Sequence, residues 1–374
     1  MASEEVTIFT RMSALARECG ALNLGQGFPD ATPPEFLLHA VRERLNRGPH
    51  QYAPMQGLPE LREAIADKIQ FFYGFRPDPA EEITLTAGGT QALFTAVMAL
   101  VEPGDEVIIP EPAYDCYAPA VKLKGGRCVY VALNPATFRP DWEAISCALS
   151  SRTRLIIFNT PHNPTGAVWD EEDYQALEKL AELHPFGVVS DEVYEHILFD
   201  GRRHRPLFSL PALKDRCLSV YSFGKVFHCT GWKIGYVVGA RNLMQVFRQV
   251  HQYNVFSVNG LFQAALVEAV VHSEWFSSLP QYFQSLRDRF LELIRPSRFH
   301  FRPSGGTYFQ LLDYSVISDE DDLTFAERLT REHKITTIPV SFFYHDRRDD
   351  RLIRVCFGKS EETLQKAAEI LCRI

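Results

Sequence analysis

Ile83-Thr-Leu-Thr-Ala-Gly-Gly-Thr-Gln91 passes from a short apolar strand, through two glycines, into the start of a helix. The helical pattern then continues over residues 90–101. Gly88 and Gly89 let the backbone approach a ligand closely, and the free N–H groups at the start of the next helix suit a phosphate. Taken alone, the turn has a plainer reading, because many strand-to-helix turns use glycine only for geometry.

The same alternation continues downstream. Apolar runs predict strands over residues 106–109, 128–133, 155–159, 187–190, 218–221 and 234–238. Helices are predicted over 114–124 and 171–183, the latter opened by Asp170 as N-cap. This pattern specifies an α/β domain with a largely parallel or mixed sheet. In such sheets ligands bind beyond the carboxyl ends of the strands. The last hundred residues differ: helical patterns at 281–293 and 323–334 alternate with strands at 308–313 and 352–356, which predicts a smaller α+β domain. The expected division is a large domain over residues 30–273 and a small one from 1–29 plus 274–374, with the boundary inside 270–295. The N-terminal segment, with Gly25, Gly27, Pro29, Pro33 and Pro34, reads as loop-rich.

Composition narrows the class. The chain has 374 residues, 46% hydrophobic and 23% charged, with a formal net charge of -8. That is ordinary for a soluble enzyme and argues against a general nucleic-acid binder. No apolar run approaches a membrane span, and Met1 to Met12 carry Glu4 and Glu5 instead of a targeting pattern. The eight cysteines include no C-x-x-C pair, so buried free thiols in a reducing cytoplasm are expected. The twelve histidines show no metal-binding spacing, and no metal site is expected.

The most informative residues are charges placed where burial is expected. Lys225 is the only Lys, Arg, Asp or Glu between Arg216 and Lys233. Desolvation there disfavours the ammonium form, and a neutral amine is what Schiff-base chemistry needs. A surface-turn lysine after a strand is the competing reading. Asp191 ends the apolar run Phe186-Gly-Val-Val-Ser190, at a strand's carboxyl end; alternatively it caps a loop or helix. Arg354 interrupts Leu352-Ile353 and Val355-Cys356-Phe357, where it needs a carboxylate or phosphate partner. A structural salt bridge would satisfy it equally. Phe357-Gly-Lys-Ser360 imitates a phosphate loop, but the full motif needs glycine at 353, where this chain has isoleucine.

Together these pieces resemble a known family. Asn163-Pro-Thr-Gly166, Asp191-Glu-Val-Tyr194, Ser222-Phe-Gly-Lys225 and Gly231-Trp-Lys-Ile-Gly235 occur in the order of the class I aminotransferase signature of pyridoxal-5'-phosphate (PLP) fold type I. Leu24-Gly-Gln-Gly-Phe-Pro-Asp30, Gln51-Tyr52, Glu111-Pro-Ala-Tyr-Asp-Cys-Tyr117 and Ile353-Arg-Val-Cys-Phe357 are similar to the methionine and kynurenine/glutamine aminotransferase branch. The resemblance implies a role for each matching position. Lys225 would carry PLP as a Schiff base and later shuttle the proton. Asp191 would pair with the pyridine nitrogen, and Asn163 and Tyr194 would donate to the ring's phenolic oxygen. Tyr114 would stack on the ring, while Gly89, Thr90, Ser222 and Lys233 would cup the phosphate. Many relatives have arginine at the position of Lys233, so this chain keeps the charge and loses the planar fork. Tyr52 would reach the phosphate of a neighbouring subunit, which implies a homodimer. Arg354 would clamp the substrate α-carboxylate, with Gly27 and Asn163 beside it. Tyr117, Phe28 and His196 receive no role, since packing explains them as well.

The implied reaction moves the amino group of an L-amino acid to a 2-oxo acid by a ping-pong route. Ile8, Phe9, Phe28 and Phe256 are candidate pocket residues and favour apolar, sulfur-containing or aromatic donors. Methionine leads, ahead of phenylalanine, tyrosine, glutamine and kynurenine. A cysteine-S-conjugate β-lyase on the same scaffold is a rival reaction. A PLP-binding regulator is a rival class, disfavoured by the lack of a basic N-terminal helix-turn-helix pattern.

Overall fold

The computed structural model describes residues 7–374. In chain order the strands are β1 (Leu22–Asn23), β2 (Ile83–Thr86), β3 (Glu106–Glu111), β4 (Arg127–Ala132), β5 (Thr153–Asn159) and β6 (Gly187–Asp191). They continue as β7 (Cys217–Ser222), β8 (Gly235–Gly239), β9 (Phe309–Asp313), β10 (Ile335–Thr336), β11 (Ile338–Pro339) and β12 (Leu352–Cys356). The first seven helices are α1 (Ile8–Cys19), α2 (Glu35–Arg47), α3 (Pro59–Tyr73), α4 (Gly89–Leu100), α5 (Tyr117–Leu123), α6 (Trp142–Ala148) and α7 (Glu171–Leu183). The rest are α8 (Phe223–Val226), α9 (Arg241–Asn254), α10 (Gly260–Val270), α11 (Ser273–Ile294), α12 (Asp322–Glu332) and α13 (Glu361–Leu371).

The central sheet has seven strands in the order β2-β8-β7-β6-β5-β3-β4. Five of them, β4 through β7 with β3, pair in parallel, while β8 runs antiparallel to both its neighbours. The near-continuous apolar runs suit this arrangement, because a parallel sheet is covered on both faces. The fold is therefore α/β with a mixed, mostly parallel sheet. A three-stranded antiparallel sheet, β11-β12-β9, and a two-stranded parallel one, β1-β10, draw only on residues 22–23 and 309–356.

The reversal of β8 matters for the site. Parallel strands β5, β6 and β7 end together at Asn159, Asp191 and Ser222. Because β8 runs the other way, its first residue, Gly235, pairs with Ser222 on one side and Thr86 of β2 on the other. The chain entering β8 thus brings Lys233 to the edge where the parallel strands finish.

Two helical expectations are corrected. The helix predicted over 114–124 starts only at Tyr117. The Ala113 N–H donates to the Phe343 carbonyl at 2.7 Å, which holds the preceding residues out of the helix and in a turn. The N-terminal segment is loop-like only after residue 23; residues 8–19 of it form α1. That helix buries Ile8, Met12, Leu15 and Ala16 on one face, is capped by Thr7 and ends at left-handed Gly20. The expected cap Asp170 is present, with a reciprocal capping box through Asp173.

All eight cysteines are free, but they are not all buried. Cys147 and Cys372 are exposed; α6, which carries Cys147, buries only Ile145. Among the described residues no helix is long and apolar enough to cross a membrane. No group of three or more His, Cys, Asp or Glu among them is placed to hold a metal ion.

Candidate active site

At the edge just described lies a cavity of about 160 Å³. Its floor is Asp191, from the end of β6, and Lys225, from the short helix α8 that follows β7. One wall is Gly88, Gly89 and Thr90 at the start of α4, with Ser222 and Lys233 beside them. The other is formed by Tyr114, Asn163 and Tyr194. Three separate loop systems converge because the strands that feed them end at one edge.

The cavity's glycine wall is shaped for close approach. Gly88 has φ +81°, a left-handed conformation, and a Cβ added there would lie 3.3 Å from Lys233 Nζ. Helix α4 starts at Gly89 with no side-chain cap, so its first N–H groups are left for another partner. With Ser222, Thr90 and the Lys233 ammonium around them, these groups fit a phosphate.

The floor carries opposed charges. The Asp191 carboxyl is pushed up to about 6, chiefly by burial; the Tyr117 hydroxyl, the Val193 N–H and the Lys225 charge pull it back down. The Lys225 amine is lowered to about 8 by burial, against the attraction of Asp191 and with the repulsion of Arg354 and Lys233. Among the described residues Lys225 makes neither a hydrogen bond nor an ion pair. Its Nζ stands 5.6 Å from the Tyr194 ring centre and 5.9 Å from that of Tyr308. A lysine held this way loses its proton far more easily than one in water, as a nucleophilic amine requires.

Arg354, in the middle of β12, is 1% exposed. Its Nη1 donates to Asn163 Oδ1 at 2.7 Å and its Nη2 to the Gly25 carbonyl at 2.9 Å. Its Nε has no partner. Phe309 lies across the guanidinium at 4.0 Å, with Phe9 and Phe343 at 5.3 and 5.4 Å. Among the described residues no carboxylate pairs with it, so the structural salt bridge that could have explained this arginine is absent. A buried cation without a counter-ion is a site prepared for an anion.

Asn163 connects this arginine to the cavity. Its N–H donates to Asn159 Oδ1 at 2.7 Å, and its Oδ1 is taken by Arg354, which leaves Nδ2 free to donate. Gly27 lies on the far side of the guanidinium: a Cβ there would meet Phe309 Cζ at 2.8 Å and Arg354 Nη2 at 4.0 Å.

The structure thus brings together Gly89, Thr90, Tyr114, Asn163, Asp191, Tyr194, Ser222, Lys225 and Lys233. Arg354 and Gly27 adjoin the cavity through Asn163. Tyr52 is not brought in: it is 82% exposed and packs edge-on against half-exposed Phe256 at 5.3 Å. Of the apolar candidates, Phe9 reaches the arginine, while Ile8 is a core residue packed with Met12, Ile338 and Phe343. Phe28 covers the Lys359 ammonium at 4.7 Å. The sequence reading missed Tyr117, whose hydroxyl donates to Asp191 Oδ2 at 2.7 Å. Its place three residues after Tyr114 was the available signal.

A buried amine poised for deprotonation, a carboxylate near it, a glycine turn that fits a phosphate and a buried arginine that fits an anion are the groups an enzyme acting on amino and oxo acids needs. The chain belongs to the family described as aminotransferase class I and II, whose profile matches residues 20–371. It is 47% identical to the methionine aminotransferase of Escherichia coli strain K12, over 98% of this chain and 95% of that one. It is 34% identical to human kynurenine–oxoglutarate transaminase 1, over 96% and 93%. A crystal structure of YbdL from Escherichia coli, reported to identify a methionine aminotransferase function, superposes with TM-score 0.96 at 46% identity, covering 100% of this chain and 99% of that one. N-succinyldiaminopimelate aminotransferase from Mycobacterium tuberculosis superposes with TM-score 0.95 at 37% identity, over 99% and 97%.

Proposed function

We propose that this aminotransferase holds PLP in the cavity above Asp191 and moves the amino group of an apolar, sulfur-containing or aromatic L-amino acid, with methionine favoured, to a 2-oxo acid. The observation that carries the reading is the unpaired Lys225 amine, depressed to about 8, set between the Asp191 carboxylate and the uncompensated Arg354 cation.

Gly89, Thr90, Ser222 and Lys233 would hold the cofactor's phosphate, Tyr114 its ring, and Asn163 and Tyr194 its phenolic oxygen. When bound, PLP supplies an electron-poor ring that stabilises charge at the substrate Cα and stores the amino group between the two half-reactions. Asp191, buried, would keep the ring nitrogen of the bound cofactor protonated. Arg354 receives the substrate α-carboxylate in a charge-assisted pair and so orients Cα–H toward Lys225. The Lys225 Nζ, once free, accepts that proton as a general base; an amine near 8 suits this at neutral pH. The order is ping-pong: the first 2-oxo acid leaves before the second enters.

Substrate preference rests on the aromatic lining of the clamp. Phe9, Phe309 and Phe343 surround Arg354, and no second arginine is among them to receive a side-chain carboxylate. Apolar and sulfur side chains suit such walls, and breadth of substrate follows because hydrophobic pockets discriminate weakly. The similarity to a methionine aminotransferase supports methionine as donor, and the kynurenine–oxoglutarate transaminase supports an aromatic second choice. A homodimer accompanies this reading. Tyr52 and Phe256, which pack edge-on at 5.3 Å, and 91%-exposed Tyr253 are exposed aromatic side chains that a second copy would cover.

The test is an absorbance spectrum of the purified chain with PLP, before and after L-methionine. The expected result is a cofactor band that L-methionine shifts and a 2-oxo acid restores, with Lys225→Ala lacking the original band. A stable band that no amino acid moves would point to the regulator instead. Absence of any band with PLP supplied would sink the reading.

A further inference from the structure

Residues 340–345 are tied down at each end by a carboxylate. In the short 3-10 turn Val340–Phe343, Ser341 gives its N–H and its hydroxyl to the two oxygens of Asp322 on α12, each at 2.7 Å. The far end reaches Glu111, the last residue of β3. The His345 N–H donates to Glu111 Oε1 at 2.8 Å, and His345 Nδ1 meets Glu111 Oε2 at 2.7 Å. A carboxylate accepts, so Nδ1 carries the proton in this contact. The same imidazole lies flat on Tyr130 of β4, with ring centres 4.0 Å apart and planes 6° apart. Glu111 is 6% exposed, and among the described residues both hydrogen bonds to its carboxylate come from His345. Burial pushes that carboxyl up, and His345 pulls it back down.

Phe343 sits between these anchors. Its carbonyl accepts from the Ala113 N–H at 2.7 Å. Its ring is 3% exposed, lies 5.4 Å from the Arg354 guanidinium and meets Phe9 edge-on at 5.9 Å. Residues 344–351 belong to no helix or strand, so no regular structure holds the chain just after this ring. The clasp on Glu111 does that work, through a charge-assisted pair and a stacked ring. We infer that His345 is a positioning residue for donor selectivity: by clasping Glu111 it holds Phe343 as the apolar wall against which the donor's side chain rests. The inference rests on the amino-transfer reading above and deepens its substrate class. The wall serves amino acids whose side chains extend past Cβ, such as methionine with its adaptable thioether. Alanine ends at Cβ and gains little from it. Hydrophobic walls discriminate modestly, so a displaced ring weakens the long apolar donors by about tenfold and abolishes nothing.

His345→Phe keeps a ring on Tyr130 and removes the side-chain donor, while His345→Asn restores an N–H close to the place of Nδ1. The first readout needs no catalysis. In the full-length chain, backbone amide exchange over residues 340–346 should quicken roughly tenfold in His345→Phe and return toward native in His345→Asn, with the central strands unchanged. In steady-state transamination by His345→Phe, KM for L-methionine should rise about tenfold with kcat nearly constant, and the L-alanine values should move by less than about twofold. His345→Asn should recover most of the methionine KM. In the Phe343→Ala background, His345→Phe should leave the methionine-to-alanine ratio where it is. Unchanged exchange, a parallel loss for both amino acids, or an undiminished effect in the Phe343→Ala background overturns the inference, and native activity then leaves amino transfer standing. A native chain that transaminates neither amino acid removes the functional reading and the role in selectivity with it; the exchange rates then decide only whether His345 holds the turn.

Discussion

Arg354→Met separates the two explanations of a buried arginine. The guanidinium is lowered to about 10 by burial, so keeping it charged costs about 3 kcal/mol. Replacing it by an unbranched apolar chain relieves that cost. It also strips the Asn163 Oδ1 and Gly25 carbonyl of their donors, at roughly 1–3 kcal/mol each. The lost stacking against Phe309, Phe9 and Phe343 takes about 1 kcal/mol more. These terms partly offset, and the unfolding free energy should fall by about 0–4 kcal/mol. Activity has no such compensation. Losing a charge-assisted pair to the substrate carboxylate costs about 3–4 kcal/mol, or a fall in kcat/KM of roughly 10²–10³. Denaturant unfolding and steady-state transamination with L-methionine measure the two quantities on one preparation. A 2-oxo acid should also stabilise the native chain against unfolding but not the variant. A variant several kcal/mol less stable that keeps most of its kcat/KM would falsify the clamp and make Arg354 a structural residue.

Three further outcomes follow from named contacts. The Lys225 pKa is lowered from 10.5 to about 8, so its protonated form penalises the fold fully below pH 8, and the penalty fades as pH rises toward 10.5. Lys225→Met should therefore be more stable than the native apo chain by up to about 3 kcal/mol near pH 7, and the gap should narrow at higher pH; a gap independent of pH refutes the burial of that charge. Gly88→Ala puts a Cβ at φ +81° and against Lys233 Nζ, and should cost about 1–2 kcal/mol of stability and at least tenfold in PLP affinity, read by fluorescence titration; unchanged affinity would show that the glycine wall does not shape the phosphate cup. Lys68 pairs with Glu195 at 2.5 Å with both side chains buried, while the Tyr73 hydroxyl binds the other carboxylate oxygen. Lys68→Met should lose about 3–5 kcal/mol by urea unfolding, and adding Glu195→Gln should return much of it; no recovery in the double variant contradicts the buried-charge account.

The central sheet was legible because its strands are buried on both faces, and runs such as Ile108-Ile109 and Val188-Val189 advertise that without ambiguity. The site was legible for a related reason. Lys225, Asp191 and Arg354 each break an apolar run, and a charge that survives there needs a purpose. What the sequence hid was relational. Tyr117 is one more aromatic in an aromatic-rich stretch, and only the approach of α5 to the end of β6 shows that its oxygen meets Asp191. Helix α5 starts late because the Ala113 N–H is claimed by Phe343, some 230 residues away in the chain, which no local pattern records. Helix α1 did carry a periodic apolar face, but the glycines and prolines just after it dominate a composition-based reading of the segment.

The pairing of β1 with β10 has a consequence for the order in which the protein is made. Leu22 and Asn23 find their partners in Ile335 and Thr336, the Leu24 carbonyl receives the Cys356 N–H, and the Asp30 N–H binds the Gly358 carbonyl. At about 5–20 residues per second, residues 22–30 are made roughly 15–60 s before the strand and loop residues just named. The phosphate cup, Asp191 and Lys225 are all synthesised in that interval, well ahead of Arg354. A nascent chain can therefore fold its cofactor half first, while its own beginning waits for its end to close over the substrate. Translation cut short before residue 335 would leave β1 without its partner strand and the cavity without Arg354.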